Sequence, residues 1–114
     1  MSILNDEDMK SLVSEERTYL GITWEDSGTD DMLKAFTWSS AKRLESIYGS
    51  DLKFTQAEGE DVKRQDALAH DLLLARVAYQ REKALDDFEA NYRSELLTLR
   101  NYGLVDQVKD GEWQ

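Results

Sequence analysis

The chain has no cysteine and no proline, and only one histidine and six glycines among its 114 residues. Without cysteine, disulfides and thiolate chemistry are excluded, and nothing calls for an oxidising compartment. With His70 alone, a histidine dyad or a multi-histidine metal site cannot form within one chain. Asp71 beside His70 does not make a metal site, because neighbours on a helix point about 100° apart and no second histidine is present. No run of 18 apolar residues is present, and the opening MSILNDEDMK lacks the basic-then-apolar plan of a signal peptide. The expectation is a soluble, intracellular protein that does not engage a membrane.

Phosphate-binding glycine loops, a dinucleotide fingerprint and a nucleophile elbow are also missing. The acidic pairs Asp30-Asp31 and Asp86-Asp87, and the cluster Glu58, Glu60 and Asp61, lack the alternating spacing and the glycine of a calcium loop. Two of these three sit where helix starts are expected, and the helix dipole alone accounts for acids there. No catalytic residue, cofactor site or metal site is therefore expected, and the chain reads as a non-enzyme.

Acidic residues are plentiful. Lys and Arg number 14 against 24 Asp and Glu, for a formal charge of −10. Such a chain repels nucleic acid at long range, so sequence-specific DNA or RNA binding is not expected. Repulsion is useful where DNA must slide past without sticking. A hydrophobic content of 40% argues against general disorder, and the length fits one domain.

In chain order, Asn5 and Asp6 can cap a first helix over 6–19, with Met9, Leu12, Val13, Glu16 and Leu20 inward and Gly21 ending it. Ile22-Thr23-Trp24 reads as extended. Thr29 is expected to cap a second helix, in which Leu33, Phe36, Ser40, Leu44 and Ile47 form a stripe and Gly49 is the stop. Trp38 lies about 140° from Leu33 on this wheel. It is either covered by a loop or in contact with another chain. Residues 49–60 form a long loop in which Leu52 and Phe54 alternate with polar neighbours.

From Asp61 to Arg100 the chain has neither glycine nor proline and is rich in strong helix formers. Unbroken, it would span roughly 60 Å. Its apolar residues fall in two stripes: Leu68, Leu72, Ala75 and Tyr79 in one, and Ala67, Leu74, Ala78, Leu85, Phe88, Tyr92, Leu96 and Leu99 in the other. A helix apolar on two sides must be covered on two sides. The stretch is either one rod or a pair bent near Ala84, with helices at 61–83 and 85–101. The first stripe is assigned to the bundle, and Leu74 and Ala78 to a neighbour.

Tyr102-Gly103 is expected to end the helical region. Residues 1–103 then form an all-α bundle of about four helices with a long C-terminal helical region. Residues 104–114 form a flexible tail in which Leu104, Val105, Val108 and Trp113 are spaced among charges. Such a tail either stays loose or docks on a partner.

Several segments resemble the head–tail connector, or adaptor, proteins of long-tailed double-stranded DNA phages. Tyr19-Leu20-Gly21-Ile22 at the end of the first helix is similar to that family's K-x-Y-L-x-I, with Arg17 where a Lys is common. An acidic loop, Asp30-Asp31-Met32-Leu33, Ala41 and a Tyr48-Gly49 ending follow in the same plan. Ala78-Tyr79-Gln80-Arg81-Glu82 looks like its Y-x-x-R-E segment with one intervening residue fewer. Phe88-Glu89-Ala90-Asn91-Tyr92 and Ser94-Glu95-Leu96-Leu97 are similar to its Gram-positive-phage branch. The resemblance implies a small helical protein of the virion, made in the host cytoplasm. It would join a homo-oligomeric ring beneath the portal protein and offer a docking site to the stopper, or head-completion, protein while DNA passes through. By position, Leu104 to Trp113 would meet the portal, and Trp38, Leu74 and Ala78 would meet a sister subunit in a head-to-tail contact. The competing reading is an acidic helical regulator or inhibitor of the DNA-mimic type. Its acids should cluster on one face, whereas here they are spread over every segment.

Overall fold

A computed structural model describes residues 4–24, 26–55 and 61–109. It is an all-α bundle of five helices: α1 (Asp6–Leu20), α2 (Ser27–Tyr48), α3 (Arg64–Arg81), α4 (Leu85–Asn91) and α5 (Arg93–Lys109). No strand occurs among the described residues, and Ile22-Thr23-Trp24 pairs with nothing as a sheet.

Local chemistry sets the ends. Asn5 Oδ1 accepts from the Asp8 N–H at 2.7 Å and caps α1. Gly21, at φ 72°, closes it with paired bonds, Ile22 N–H to the Arg17 carbonyl and Gly21 N–H to the Thr18 carbonyl. Ile22 then turns into the core at 6% exposure. The cap of α2 is Asp26 and not Thr29. The Asp26 carboxylate accepts from the Gly28 N–H and from the Thr29 hydroxyl, at 3.1 and 3.0 Å. The Thr29 hydroxyl and then the Gly28 N–H hold the Asp26 carboxyl below its ordinary pKa.

The long stretch after Asp61 is not a rod. Helix α3 begins at Arg64 and stops at Arg81, where Ala84 N–H bonds to the Tyr79 carbonyl and Lys83 N–H to the Gln80 carbonyl. This is the closing pattern that glycine usually serves, yet Lys83 occupies the left-handed position at φ 58°. Tertiary packing offsets that local cost: Phe88 on α4 is fully buried and packs with Tyr79 and Tyr92 at centroid distances of 5.7 and 4.9 Å. The chain breaks again at Tyr92 and resumes as α5.

Helix α3 packs against all four others, and α2 against α1, α3 and α5. The centre of the buried face of α3 is Ala69, Leu73 and Val77, all fully buried, which belong to neither stripe read from the sequence. Leu72 and Ala75 widen that face, and Leu68 and Tyr79 sit at its edge. A central helix buried over so broad an arc shows little amphipathic periodicity.

Tyr102-Gly103 does not end the helical region. Helix α5 runs through Gly103 to Lys109, so Leu104, Val105 and Val108 are helical residues. Gly103 is a crossing point: a Cβ there would lie 1.8 Å from the Tyr48 carbonyl oxygen at the end of α2. Only a hydrogen fits, and the two backbones meet. Beside the crossing, the Tyr48 hydroxyl donates to Asp106 at 2.5 Å, and the Arg64 guanidinium lies 4.2 Å above the Tyr102 ring.

Candidate interaction surfaces

Polar groups inside the bundle account for a set of side chains that composition alone would place in solvent. Glu45 and Asp66, at 6% and 7% exposure, are among them. They accept the backbone N–H groups of Leu52 and Lys53 at 2.9 and 3.0 Å. Thr55 donates to Asp8 at 2.9 Å. Three helices thus hold the 52–55 segment through carboxylates and so seat Leu52 and Phe54 in the core. Buried backbone donors need partners, and in the absence of a sheet these side chains supply them.

Glu16 is the most deeply buried acid, at 1% exposure. Its Oε2 lies 2.5 Å from the Thr37 hydroxyl, which is also 2.7 Å from the Leu33 carbonyl, and its Oε1 has no partner. A hydroxyl has one proton and cannot serve both acceptors. A proton on Glu16 resolves the conflict: Glu16 donates to Thr37 and Thr37 donates to Leu33. Burial, opposed by the Thr37 bond and aided by the charge of Glu15, raises the Glu16 pKa to about 7. A second polar seam joins α2, α3 and α4. There Arg76 Nη1 donates to Ser40 and Gln80 at 2.9 and 3.3 Å, and Arg43 pairs with Glu89 at 2.7 Å. Burial holds the Arg76 guanidinium below its ordinary pKa. His70 bridges to Glu15 at 2.6 Å and ties α3 to α1.

No group of three or more His, Asp or Glu side chains among the described residues is placed to hold a metal ion. No described helix is long and apolar enough to cross a membrane. A cavity of about 510 Å³ is an open polar hollow beside Asp8, Asp51, Asp61 and Asp66 with Lys53 and Lys63. The Asp66 carboxylate there is already bonded to the Lys53 backbone.

The outer surface is more distinctive. Helix α5 carries two stripes on opposite sides. Tyr92, Leu96, Leu99, Gly103 and Asp106 step by four and three residues and face the bundle. Leu97, Asn101, Leu104 and Val108 repeat the same steps about half a turn away. On that side Leu97, Leu104, Val105 and Val108 are 45–55% exposed. Every other exposed described side chain of α5 is Arg93, Ser94, Thr98, Arg100 or Asn101, and none is acidic. The acids of this helix, Glu95 and Asp106, are only partly exposed.

Other exposed apolar side chains lie elsewhere, among them Val62 just before α3, at 48% exposure. Trp38 on α2 is 49% exposed, with Lys42 Nζ 4.3 Å from its ring centre and Lys34 exposed one turn earlier. Tyr19, near the end of α1, and Trp24, in the turn before α2, are 56% and 51% exposed. There Arg17 donates to the Trp24 backbone carbonyl and pairs with Asp30 at 2.8 Å. Of the residues singled out from sequence, Trp38, Leu104, Val105 and Val108 are exposed, whereas Leu74 and Ala78 are partly buried on α3. Leu74 lines a shallow groove with Tyr19, Leu68, Tyr92 and Glu95. Trp113 lies outside the described residues. Leu97, Tyr19 and Trp24 were not singled out. Leu97 becomes legible once the helical register is continued through Gly103.

The chain matches no family model, no curated protein and no solved structure.

Proposed function

We propose that this chain is a structural adaptor of a phage head–tail connector. In this reading it is a subunit of a ring beneath the portal, with protein partners, no turnover, and a place in the virion. The observation that carries the reading is α5. One of its faces completes the bundle, and the opposite face holds Leu97, Leu104, Val105 and Val108 in solvent. An apolar patch of this kind marks a surface with a neighbour. The acidic charge of −10 supports the same reading, because DNA sliding through a ring is best served by a wall that does not bind it. The motif-bearing segments also fall at structural punctuation: Tyr19 to Ile22 closes α1, and Ala78 to Glu82 closes α3. The acidic-regulator alternative is weakened because Glu16, Glu45, Asp66 and Asp106 serve the interior and do not line a phosphate-like face.

The test is assembly on a portal ring. The full chain is mixed with purified portal and followed by sedimentation and negative-stain microscopy. An added ring of density at the narrow end of the portal is the expected result. Portal rings that sediment alone at about 100 µM of the chain refute the reading, since even weak docking registers at that concentration.

A further inference from the structure

We infer that α1 is latched by a proton: when Glu16 ionises, α1 leaves α2 and α3 while the other four helices stay folded. The inference is independent of the adaptor reading and rests on how α1 is held. This helix buries three side chains, Leu12, Val13 and Glu16, against seven on α2 and six on α3. A carboxyl is thus one of its three anchors. Asp8 meets Thr55 at 2.9 Å, Arg17 meets Asp30 at 2.8 Å and Glu15 meets His70 at 2.6 Å, but all of these pairs are partly open to water and contribute little.

The seam between α1 and α3 is also hollow along one edge. Asp8, Glu15 and Tyr19 are spaced by seven and four residues and so share a face of α1. Each borders an open cavity whose far side is α3: about 510 Å³ at Asp66, about 340 Å³ at His70 and about 340 Å³ at Leu72. An element with few buried contacts and a solvated edge belongs to the low-stability end of a fold. Helix α1 packs on neither α4 nor α5, so its departure leaves the packing of α2, α3 and α5 in place.

Glu16 decides whether this weak attachment holds. Thr37 faces it from α2 and cannot donate to both Glu16 and the Leu33 carbonyl, so the docked arrangement needs the proton on the carboxyl. The charged groups of the seam are Glu15 and Arg17 on α1, Asp30 and the exposed Lys34 on α2, and His70 and Asp71 on α3. Arg17 and His70 are engaged by Asp30 and Glu15, and Glu15 opposes a second charge beside it. A buried carboxylate in that setting is relieved by reaching water, and moving α1 is what takes it there. The docked form holds the Glu16 pKa at about 7, against an ordinary 4.5 once the side chain is solvated. Docking is therefore at full strength below about pH 4.5 and weakens as the pH climbs to about 7. Over that interval opening rises about tenfold per pH unit, about 300-fold in all, and then levels off.

Amide exchange of the full chain from about pH 4.5 to 8.5, corrected for the intrinsic rate, reads such an opening even where the docked form predominates. Protection over residues 12–20 should fall about 300-fold by pH 7 and then level off, while residues 69–77 and 96–103 change by less than about tenfold. In Glu16→Gln the α1 protection should be the same at every pH. Thr37→Val keeps the shape but removes the hydroxyl that lowers the Glu16 pKa, so its levelling-off should move above pH 7. His70→Gln should keep the parent profile. A flat parent profile overturns the inference, as does an equal fall in all three segments, which is global unfolding. So does a pH dependence that survives in Glu16→Gln or a Thr37→Val profile that levels off no higher than the parent's. A profile flattened by His70→Gln also overturns it, since the Glu15–His70 pair would then be the latch.

Discussion

Replacing Glu16 by Gln tests the internal logic of the bundle. The Glu16 carboxyl is 1% exposed, with one oxygen against Thr37 and the other without a partner. Its pKa rises from an ordinary 4.5 to about 7 on folding. An acid whose folded pKa is raised binds its proton more tightly in the folded state. The stability it permits is complete below about pH 4.5 and is lost as the pH climbs to about 7. At about 1.4 kcal/mol per pKa unit, the loss above pH 7 is about 3 kcal/mol. Gln keeps the shape and can donate to Thr37 but never ionises. One of its two N–H groups stays unpaired, which returns part of the gain. At pH 8 the variant should be more stable than the parent by about 2–3 kcal/mol. An unfolding entropy of about 2.1 cal/mol/K per residue makes this roughly 10 °C in Tm. At pH 5 the two should differ by less than about 1 kcal/mol. The assay is thermal and urea unfolding of both chains from pH 4.5 to 8.5, taken as a difference so that other carboxylates cancel. A flat difference across that range, or a Gln variant weaker than the parent at pH 8, refutes the buried-proton account.

Gly103→Ala should destabilise by about 3 kcal/mol or more, because the new methyl would meet the Tyr48 carbonyl at 1.8 Å. An exposed helical glycine would show the opposite sign, a gain of about 1 kcal/mol, so chemical denaturation decides between a crossing point and a helix end. Lys83→Gly should stabilise by about 1 kcal/mol, since Lys83 holds φ 58°; an unchanged urea midpoint argues against a left-handed Lys83. Phe88→Ala should cost about 3–5 kcal/mol, as Phe88 is fully buried. Amide exchange should quicken first over Leu85–Asn91, and uniform quickening would mean that α4 does not unfold as a separate unit.

The balance between what was legible in the sequence and what was not follows the range of each interaction. Local signals placed the ends well where one residue suffices. Asn5, Gly21 and Gly49 act within a few residues of themselves, so α1 and the end of α2 are as expected. Thr29 was a near miss of the same kind, since α2 starts three residues earlier, where the Asp26 carboxylate accepts from the Gly28 N–H and from the Thr29 hydroxyl itself.

Lys83 shows the limit. Nothing in Glu82-Lys83-Ala84 breaks a helix by propensity, and the turn exists because it lets Phe88 pack against both Tyr79 and Tyr92. Gly103 shows the reverse error: a residue that ends helices locally is retained inside one because Tyr48 needs the space.

By itself, the sequence determined an all-helical chain without histidine or cysteine clusters, strongly acidic, and apolar on more faces than one small helix can bury. Composition and short-range periodicity carry that much, because they act through the backbone and its nearest neighbours. Which of the two faces of α5 is buried, which acids are interior, and which apolar groups stay exposed were decided by tertiary structure. Those outcomes depend on how helices far apart in the chain compete for one core, and no window of sequence contains that competition.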